Sequence, residues 1–255
     1  MNTIALITGA TSGIGLATAR KFAKNAYSII ITGRRKDRLD SLEKELKKEY
    51  KVKVLSLCFD VRSLSEVTHK LGNLDDDWKG IDILVNNAGL AVGLSHIQNG
   101  VIDDWERMID TNIKGLLYVT RIISPGMAER GRGHIINIAS IAGKEAYENG
   151  NVYCATKHAV DALSRSMRID LVSKGVKVSN VAPGLVDTEF SDVRFKGDRI
   201  KAEAPYKGMI PLTGEDIADV VYYCASVPAH VNINDVTVMP ASQATATIVH
   251  RNSNE

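Results

Sequence analysis

The sequence predicts an α/β protein, a single-domain, doubly wound parallel sheet of about seven strands with helices on both faces. Three observations carry that expectation. Short Ile- and Val-rich runs recur along the chain, charged or amphipathic stretches separate most of them, and a glycine-rich turn joins the first run to the first stretch. Strands buried on both faces read as continuous apolar runs, and alternation with helices implies parallel pairing through crossovers. A chain of 255 residues, 44% of them hydrophobic, can bury one sizeable core.

The elements follow in order. "TIALIT" (3–8) reads as the first strand and 13–25 as the first helix. "SIIITG" (28–33) precedes a highly charged helix at 37–50, and "VKVLSL" (52–57) precedes one at 63–77. "IDILVN" (81–86) leads to a long helix at 103–130, and "GHIINIA" (133–139) to another at 151–174. "VKVSNVA" (176–182) and "VTVMP" (236–240) complete the seven. The stretch "FSDVRFKGDRIKAEAPYKGMIP" (190–211) breaks the rhythm. It is polar, irregular and placed after the sixth strand, where an open α/β sheet keeps its ligand crevice, so it reads as a lid. No repeat, low-complexity tract or Pro/Gly-rich linker divides residues 1–255.

A formal charge of +2 argues against nucleic acid or an anionic membrane as partner. Cys58, Cys154 and Cys224 are scattered, without CxxC or metal-ligand spacing, which suits reduced thiols and no metal. The N-terminus has no basic leader, and no apolar run reaches the roughly 18 residues of a membrane span. The expectation is a cytoplasmic protein with a small-molecule substrate.

"TGATSGIG" (8–15) lies between the first strand and the first helix. Gly9, Gly13 and Gly15 there let backbone N–H groups approach a pyrophosphate at the helix N-terminus, with Thr11 and Ser12 adding hydroxyls around Ile14. At the end of the second strand, Gly33, Arg34 and Arg35 stand where an NAD site usually carries an acid for the ribose 2′-hydroxyl. Two guanidiniums suit a 2′-phosphate instead, so the expected cofactor is NADP(H). Asp60 and Val61 end the third strand, Asp60 as a candidate acceptor for the adenine amino group. In "NNAG", Asn87, Ala88 and Gly89 end the fourth, small enough to lie beside a flat cofactor.

Tyr153 and Lys157, in "NVYCATKHAV", are the only Tyr-x-x-x-Lys pair in the chain and share one helix face. Ser140 follows the fifth strand, and Asn112 sits inside a helix, where Asn is a mediocre former. A lysine ammonium and an oxidised nicotinamide are expected to lower the tyrosine pKa toward working pH. The phenol then exchanges a proton with a carbonyl or hydroxyl oxygen, and Ser140 hydrogen-bonds the same oxygen. This is a site for carbonyl/alcohol interconversion.

With these residues quoted, the chain resembles the short-chain dehydrogenase/reductase family over nearly its whole length, a Rossmann-type fold. The resemblance implies Tyr153 as catalytic acid/base and Lys157 as holder of the nicotinamide ribose. It implies Ser140 as orienter of substrate and Asn112 as support for a water-linked proton relay. "PGLVDT" (183–188), with Pro183, Gly184, Val186 and Thr188, closes over the nicotinamide end, Thr188 near the carboxamide. Within the family, "MIDTNIKGLLYVTR", "EFSDVRFKGD" and "PAHVNIND" are similar to the NADP-dependent serine/3-hydroxy acid dehydrogenase group, whose members are usually homotetramers. That group acts on serine, allo-threonine and short 3-hydroxy acids, and reduces malonic semialdehyde-type aldehydes.

A small acid buried under a lid needs a cation. Arg194, Lys196, Arg199 and Lys207 are candidates, Arg194 first. The competing readings are a reductase of other small carbonyls and a non-catalytic NADPH-binding sensor. A nucleotide-sugar epimerase is disfavoured, because only about 65 residues follow "PGLVDT", too few for a substrate domain. The tail "ATATIVHRNSNE" is free to cross to a neighbouring subunit or to fray.

Overall fold

The structure is a computed structural model and describes residues 3–252. Seven parallel strands form one sheet in the order β3-β2-β1-β4-β5-β6-β7. They are β1 Ile4–Ile7, β2 Ser28–Gly33, β3 Val54–Cys58, β4 Ile81–Asn86, β5 Gly133–Ile138, β6 Val176–Pro183 and β7 Asp235–Val238. The order runs outward in both directions from β1 and β4, so their C-terminal ends part and leave a crevice.

Strand alternation divides the core between the two faces of the sheet. Ile4, Leu6 and Ile30 face one cluster, with Val119, Ile123 and Met127 of α6 (Leu116–Glu129) and Val160 of α7 (Asn151–Leu171). Ala5, Ile7, Ile29 and Ile31 face the other, with Phe22 of α1 (Gly13–Lys24), Leu39 and Leu46 of α2 (Lys36–Tyr50), and Ile217 and Val221 of α10 (Gly214–Ser226). Burying such a side chain contributes about 1.5–3 kcal/mol, which is why central strands read as unbroken Ile/Val runs. Between β3 and β4 the chain forms α3 (Leu64–Gly72) and a short α4 (Asp76–Lys79).

Three features differ from the sequence expectation. The single helix read at 103–130 is α5 (Ile102–Ile109) joined to α6 by a π-helical segment, Asp110–Gly115, which carries Asn112. A π turn inserts one residue into the ladder and turns a side chain aside, and such turns recur at functional sites. The crossover to β7 is the helix α10, absent from the helices read above. Its Val-Val-Tyr-Tyr run blurs the period, but the Thr213/Asp216 capping box marks its start. The lid holds two short helices, α8 (Phe190–Arg194) and α9 (Arg199–Glu203), rather than irregular chain throughout.

The tail folds onto its own lid. Arg251 Nη2 donates to Pro205 O at 2.9 Å, Arg251 Nη1 donates to Lys207 O, and Asn252 N donates to Gly208 O at 2.8 Å. Among the described residues, no helix is long and apolar enough to cross a membrane.

Candidate active site

A cavity of about 560 Å³ occupies the crevice and runs from Arg34 and Asp60 at one end to Tyr153 and Arg194 at the other. Every residue singled out above as catalytic or cofactor-binding lines it, except Gly15 and Asn112, and Arg194 lines it from the lid.

At the first end the chain leaves β1 through Gly9 (φ +68°) and enters α1 through Gly13 (φ +51°), backbone that only glycine adopts without strain. Gly15 sits behind the wall, where a Cβ would collide with Gly9 O and with Asn87 Nδ2. Asn87 Nδ2 donates to Thr8 O at 2.9 Å and Gly9 O at 3.2 Å, lacing "NNAG" to the glycine turn. The Ser12 hydroxyl makes no capping bond and no acid stands in the first turn of α1, so the positive helix end stays open toward an anion.

Arg35 donates to Thr11 Oγ1 (2.8 Å), Ser12 Oγ (2.7 Å) and Glu189 Oε2 (2.8 Å). Arg38 donates to the other oxygen of Glu189 at 2.6 Å. Burial works to raise the Glu189 pKa, but the two arginines outweigh it and hold the carboxyl below its usual range. Arg34 is more exposed and lies 3.9 Å from Asp60 Oδ2. Asp60 itself is gripped by Arg62, at 2.9 Å from Nε and 2.7 Å from Nη2, so its carboxylate is already engaged. Neither Arg38, Arg62 nor Glu189 was foreshadowed by the strand-end pattern. Glu189 reaches the site from 154 positions beyond Arg35, whereas Arg62 is only two residues from Asp60.

At the other end, β5 delivers Ser140, whose Oγ accepts from Ala142 N at 3.1 Å and donates to Pro183 O at 3.4 Å. Helix α7 presents Tyr153 and Lys157 on the same face, 8% and 6% exposed. Lys157 Nζ donates to Ile138 O at 2.9 Å, and burial lowers its pKa to about 8. The expected lowering of the Tyr153 pKa is not what the protein groups alone produce. Burial pushes the phenol up from its ordinary value, and the Ser140 hydroxyl and Arg194 guanidinium oppose it without prevailing.

Asn112 stands one layer behind. Its Oδ1 accepts from Leu90 N at 2.9 Å, and its Nδ2 donates to Leu90 O at 2.8 Å and Thr156 Oγ1 at 3.0 Å. These bonds clamp the chain beyond β4 against α7. Thr188 lies against Gly13, where an added Cβ would be 3.1 Å from Thr188 Cβ, so the start of the lid closes over the glycine turn.

Of the four lid cations, Arg194 alone lines the cavity. Its guanidinium carbon is 5.3 Å from the Tyr153 ring centroid and 5.5 Å from that of Tyr147. Arg194 Nη2 donates to Tyr147 Oη at 2.6 Å, whereas the buried Nε has no partner among the described residues. The guanidinium thus lies over the phenol ring, one donor engaged by Tyr147 and Nε enclosed by protein. Tyr147, six residues before Tyr153, escaped the sequence reading because nothing in its spacing distinguishes it from a packed aromatic.

The chain is similar to known proteins along nearly its whole length. A family model described as short chain dehydrogenase matches residues 3–198. Over 250 residues the chain is 50% identical to the NADP-dependent 3-hydroxy acid dehydrogenase of Salmonella typhimurium, covering 97% of this chain and 99% of the relative. It is 44% identical to sulfoacetaldehyde reductase 2 of Chromohalobacter salexigens over 245 residues, 96% of each chain. A serine dehydrogenase solved in a closed form with NADP+ superposes with a TM-score of 0.91 at 47% identity, covering 98% of this chain and all of that one.

Proposed function

The chain belongs to the short-chain dehydrogenase family, and from that premise we propose that it interconverts the hydroxyl and carbonyl of small 3-hydroxy acids and β-hydroxy amino acids, using NADP(H). The observation that carries the reading is Arg194. It places a guanidinium over the ring of Tyr153 in the wall of the cavity, so one small molecule can meet both.

The cavity fits a dinucleotide. Gly9 and Gly13 supply backbone that an anion can approach, and Arg34 and Arg35 stand ready for the 2′-phosphate. Asn87, Ala88 and Gly89 form a wall of short side chains, and Val186 and Thr188 line the crevice, Thr188 over Gly13. When bound, the cofactor supplies or accepts the hydride.

The chain's own residues manage the rest. In the reducing direction the Tyr153 hydroxyl donates its proton to the carbonyl oxygen, while Ser140 Oγ–H bonds that oxygen and stabilises the charge developing on it. In the oxidising direction Tyr153 takes the hydroxyl proton. Lys157, held against Ile138 O beneath the phenol, adds positive potential that favours phenolate, and Arg194 adds more from the lid side. Asn112 holds the floor on which Lys157 and Gly89 rest. A Cβ at Gly89 would come 3.3 Å from Asn112 Oδ1 and 3.5 Å from Lys157 Nζ. The substrate's acid end pairs with the Arg194 guanidinium, with Tyr147 alongside.

Arg194 would accept a sulfonate as well as a carboxylate, which fits the name of the sulfoacetaldehyde reductase relative. A general reductase of uncharged carbonyls gains nothing from such a cation. The three free cysteines suit a cytoplasmic setting. The exposed Ile102 and Ile109 on α5, Leu117 on α6 and Ile169 on α7 suit burial in a homotetramer, which light scattering would test.

The deciding experiment is steady-state kinetics with NADP+ and NAD+ against L-serine, L-allo-threonine and 3-hydroxypropionate. The expected result is turnover with NADP+ preferred, a loss of about 100-fold or more in kcat for Tyr153→Phe, and a raised KM for the acids in Arg194→Ala. Tight NADPH binding without turnover of any carbonyl would favour a sensor instead.

A further inference from the structure

Arg194 ends α8, and something must fix where that short lid helix stops. Two contacts do so, and both reach the same place on the body of the protein. Gly93 N donates to Arg194 O at 2.9 Å. Two residues on, Lys196 Nζ pairs with Asp104 Oδ2 at 2.7 Å. Gly93 and Asp104 are themselves in contact, since a Cβ on Gly93 (φ +71°) would lie 3.0 Å from Asp104 Oδ2. The seam is therefore one patch, formed by the chain beyond β4 and the first turn of α5.

Asp104 is an unusual residue for a helix start, because its side chain is only 7% exposed while its lysine partner remains 55% exposed. A carboxylate so deeply placed needs a cation. Arg107 stands farther off, 4.0 Å from the other oxygen. Lys196 meets the need by adopting left-handed backbone (φ +54°), which a residue with a Cβ rarely takes. That conformation ends α8 and throws the lysine back toward α5. Behind the seam a cavity of about 20 Å³ is bounded by both Asp104 and Tyr153, so the patch lies directly against the wall of the reacting centre.

We propose that the Asp104–Lys196 ion pair, with the Gly93–Arg194 hydrogen bond, is a latch that holds the lid where Arg194 meets the substrate's acid group. Asp104 and Lys196 are positioning residues; neither touches substrate. The inference rests on the reading of Arg194 as the anion-binding residue and adds what places it. Its consequence is selective. Loosening the latch weakens the grip on the acid end and leaves the handling of an uncharged substrate and of the cofactor alone.

The test compares 3-hydroxypropionate with its methyl ester at saturating NADP+, in Lys196→Met, Lys196→Gly, Arg194→Ala and the Lys196→Met/Arg194→Ala double variant. Lys196→Gly removes the ion pair while easing the left-handed backbone, so it separates the contact from the strain. The expected result is a five- to tenfold rise in KM for the acid in both Lys196 variants. kcat/KM for the ester should stay within twofold, NADPH binding should not change, and the double variant should show no further loss beyond Arg194→Ala. Amide exchange at Gly93 should accelerate in both Lys196 variants. A parent-like Lys196→Gly, equal losses on acid and ester, full additivity with Arg194→Ala, or unchanged exchange at Gly93 would each overturn the latch. Arg194→Ala alone reports on the parent reading. If it discriminates acid from ester as well as the parent does, the anion-binding assignment fails, whatever Gly93 exchange shows about the seam.

Discussion

Lys157 Nζ donates 2.9 Å to the carbonyl of Ile138, the residue two before Ser140. The ammonium is thereby tied to the end of the strand that carries the serine, and one bond fixes α7 relative to β5 at the point of chemistry. The same bond explains how a lysine only 6% exposed is tolerated at all. It also leaves the cation poorly compensated, because burial outweighs one carbonyl and pulls the pKa to about 8.

Lys157 should therefore cost stability in exchange for activity. Its pKa falls from 10.5 to about 8 on folding. The folded protein thus releases this proton earlier than the unfolded chain, and stability rises as pH climbs through that window. Below about pH 8 the burden is complete. Lys157→Met should abolish turnover yet raise the unfolding free energy of the cofactor-free protein at pH 7 by about 1–3 kcal/mol. The gain should shrink between about pH 8 and 10.5. Chemical denaturation of parent and variant across that range measures it, and a variant less stable at pH 7 would contradict the account.

Asn112 satisfies both backbone groups of Leu90 from inside the π segment. Asn112→Ala leaves a buried donor and acceptor without partners, a loss of about 2–4 kcal/mol in urea unfolding. Asn112→Asp keeps the acceptor for Leu90 N but turns a carboxylate on Leu90 O, and should be no better. A loss under about 0.5 kcal/mol for the alanine variant would show that the clamp is dispensable.

Glu189 engages Arg35 and Arg38 from the lid side, so a 2′-phosphate must share Arg35 with it. Glu189→Gln should tighten NADPH by about threefold to tenfold and leave NADH unaltered, as read by fluorescence titration at low salt. Weaker NADPH binding would mean that the carboxylate holds the arginines in their receptive pose.

His134, in the middle of the sheet, bonds Ser179 Oγ at 2.8 Å, and burial with nearby Lys177 lowers its pKa from 6.5 to about 3. The unfolded chain takes up a proton here that the folded one refuses. Stability is therefore intact above pH 6.5 and drains away as pH falls toward 3. His134→Gln should start less stable at pH 7 but lose on the order of a few kcal/mol less than the parent between pH 6.5 and 4, judged by denaturant midpoints. Parallel curves would place the acid sensitivity elsewhere.

What could be read from the chain was local or periodic. The seven runs gave the seven strands in their places, the glycine turn stood where the first strand meets α1, and Tyr153 and Lys157 shared a face because α7 is regular across them. Ser140 was legible from its position after β5. What stayed hidden was pairing across distance. Arg35 and Glu189 are 154 positions apart and Arg194 and Tyr147 are 47 apart, and nothing in the spacing of either pair announces contact. The π segment was equally silent, since an extra residue in a helical ladder shifts the apolar period by less than the scatter of real sequences. The balance that the protein groups alone strike at Tyr153 was hidden for a related reason. Proximity to a lysine can be inferred from i, i+4 spacing, but the depth of burial that raises the phenol in the protein alone cannot.

Arg251 and Asn252 grip three successive stretches of lid backbone by their carbonyls, at Pro205, Lys207 and Gly208. Those bonds do not depend on lid side chains, but they do depend on the length and path of the lid. Anyone recombining this enzyme with a relative should treat residues 190–211 and 243–252 as one inherited cassette. A crossover placed between them would graft a roof whose tie-beam was cut for another house.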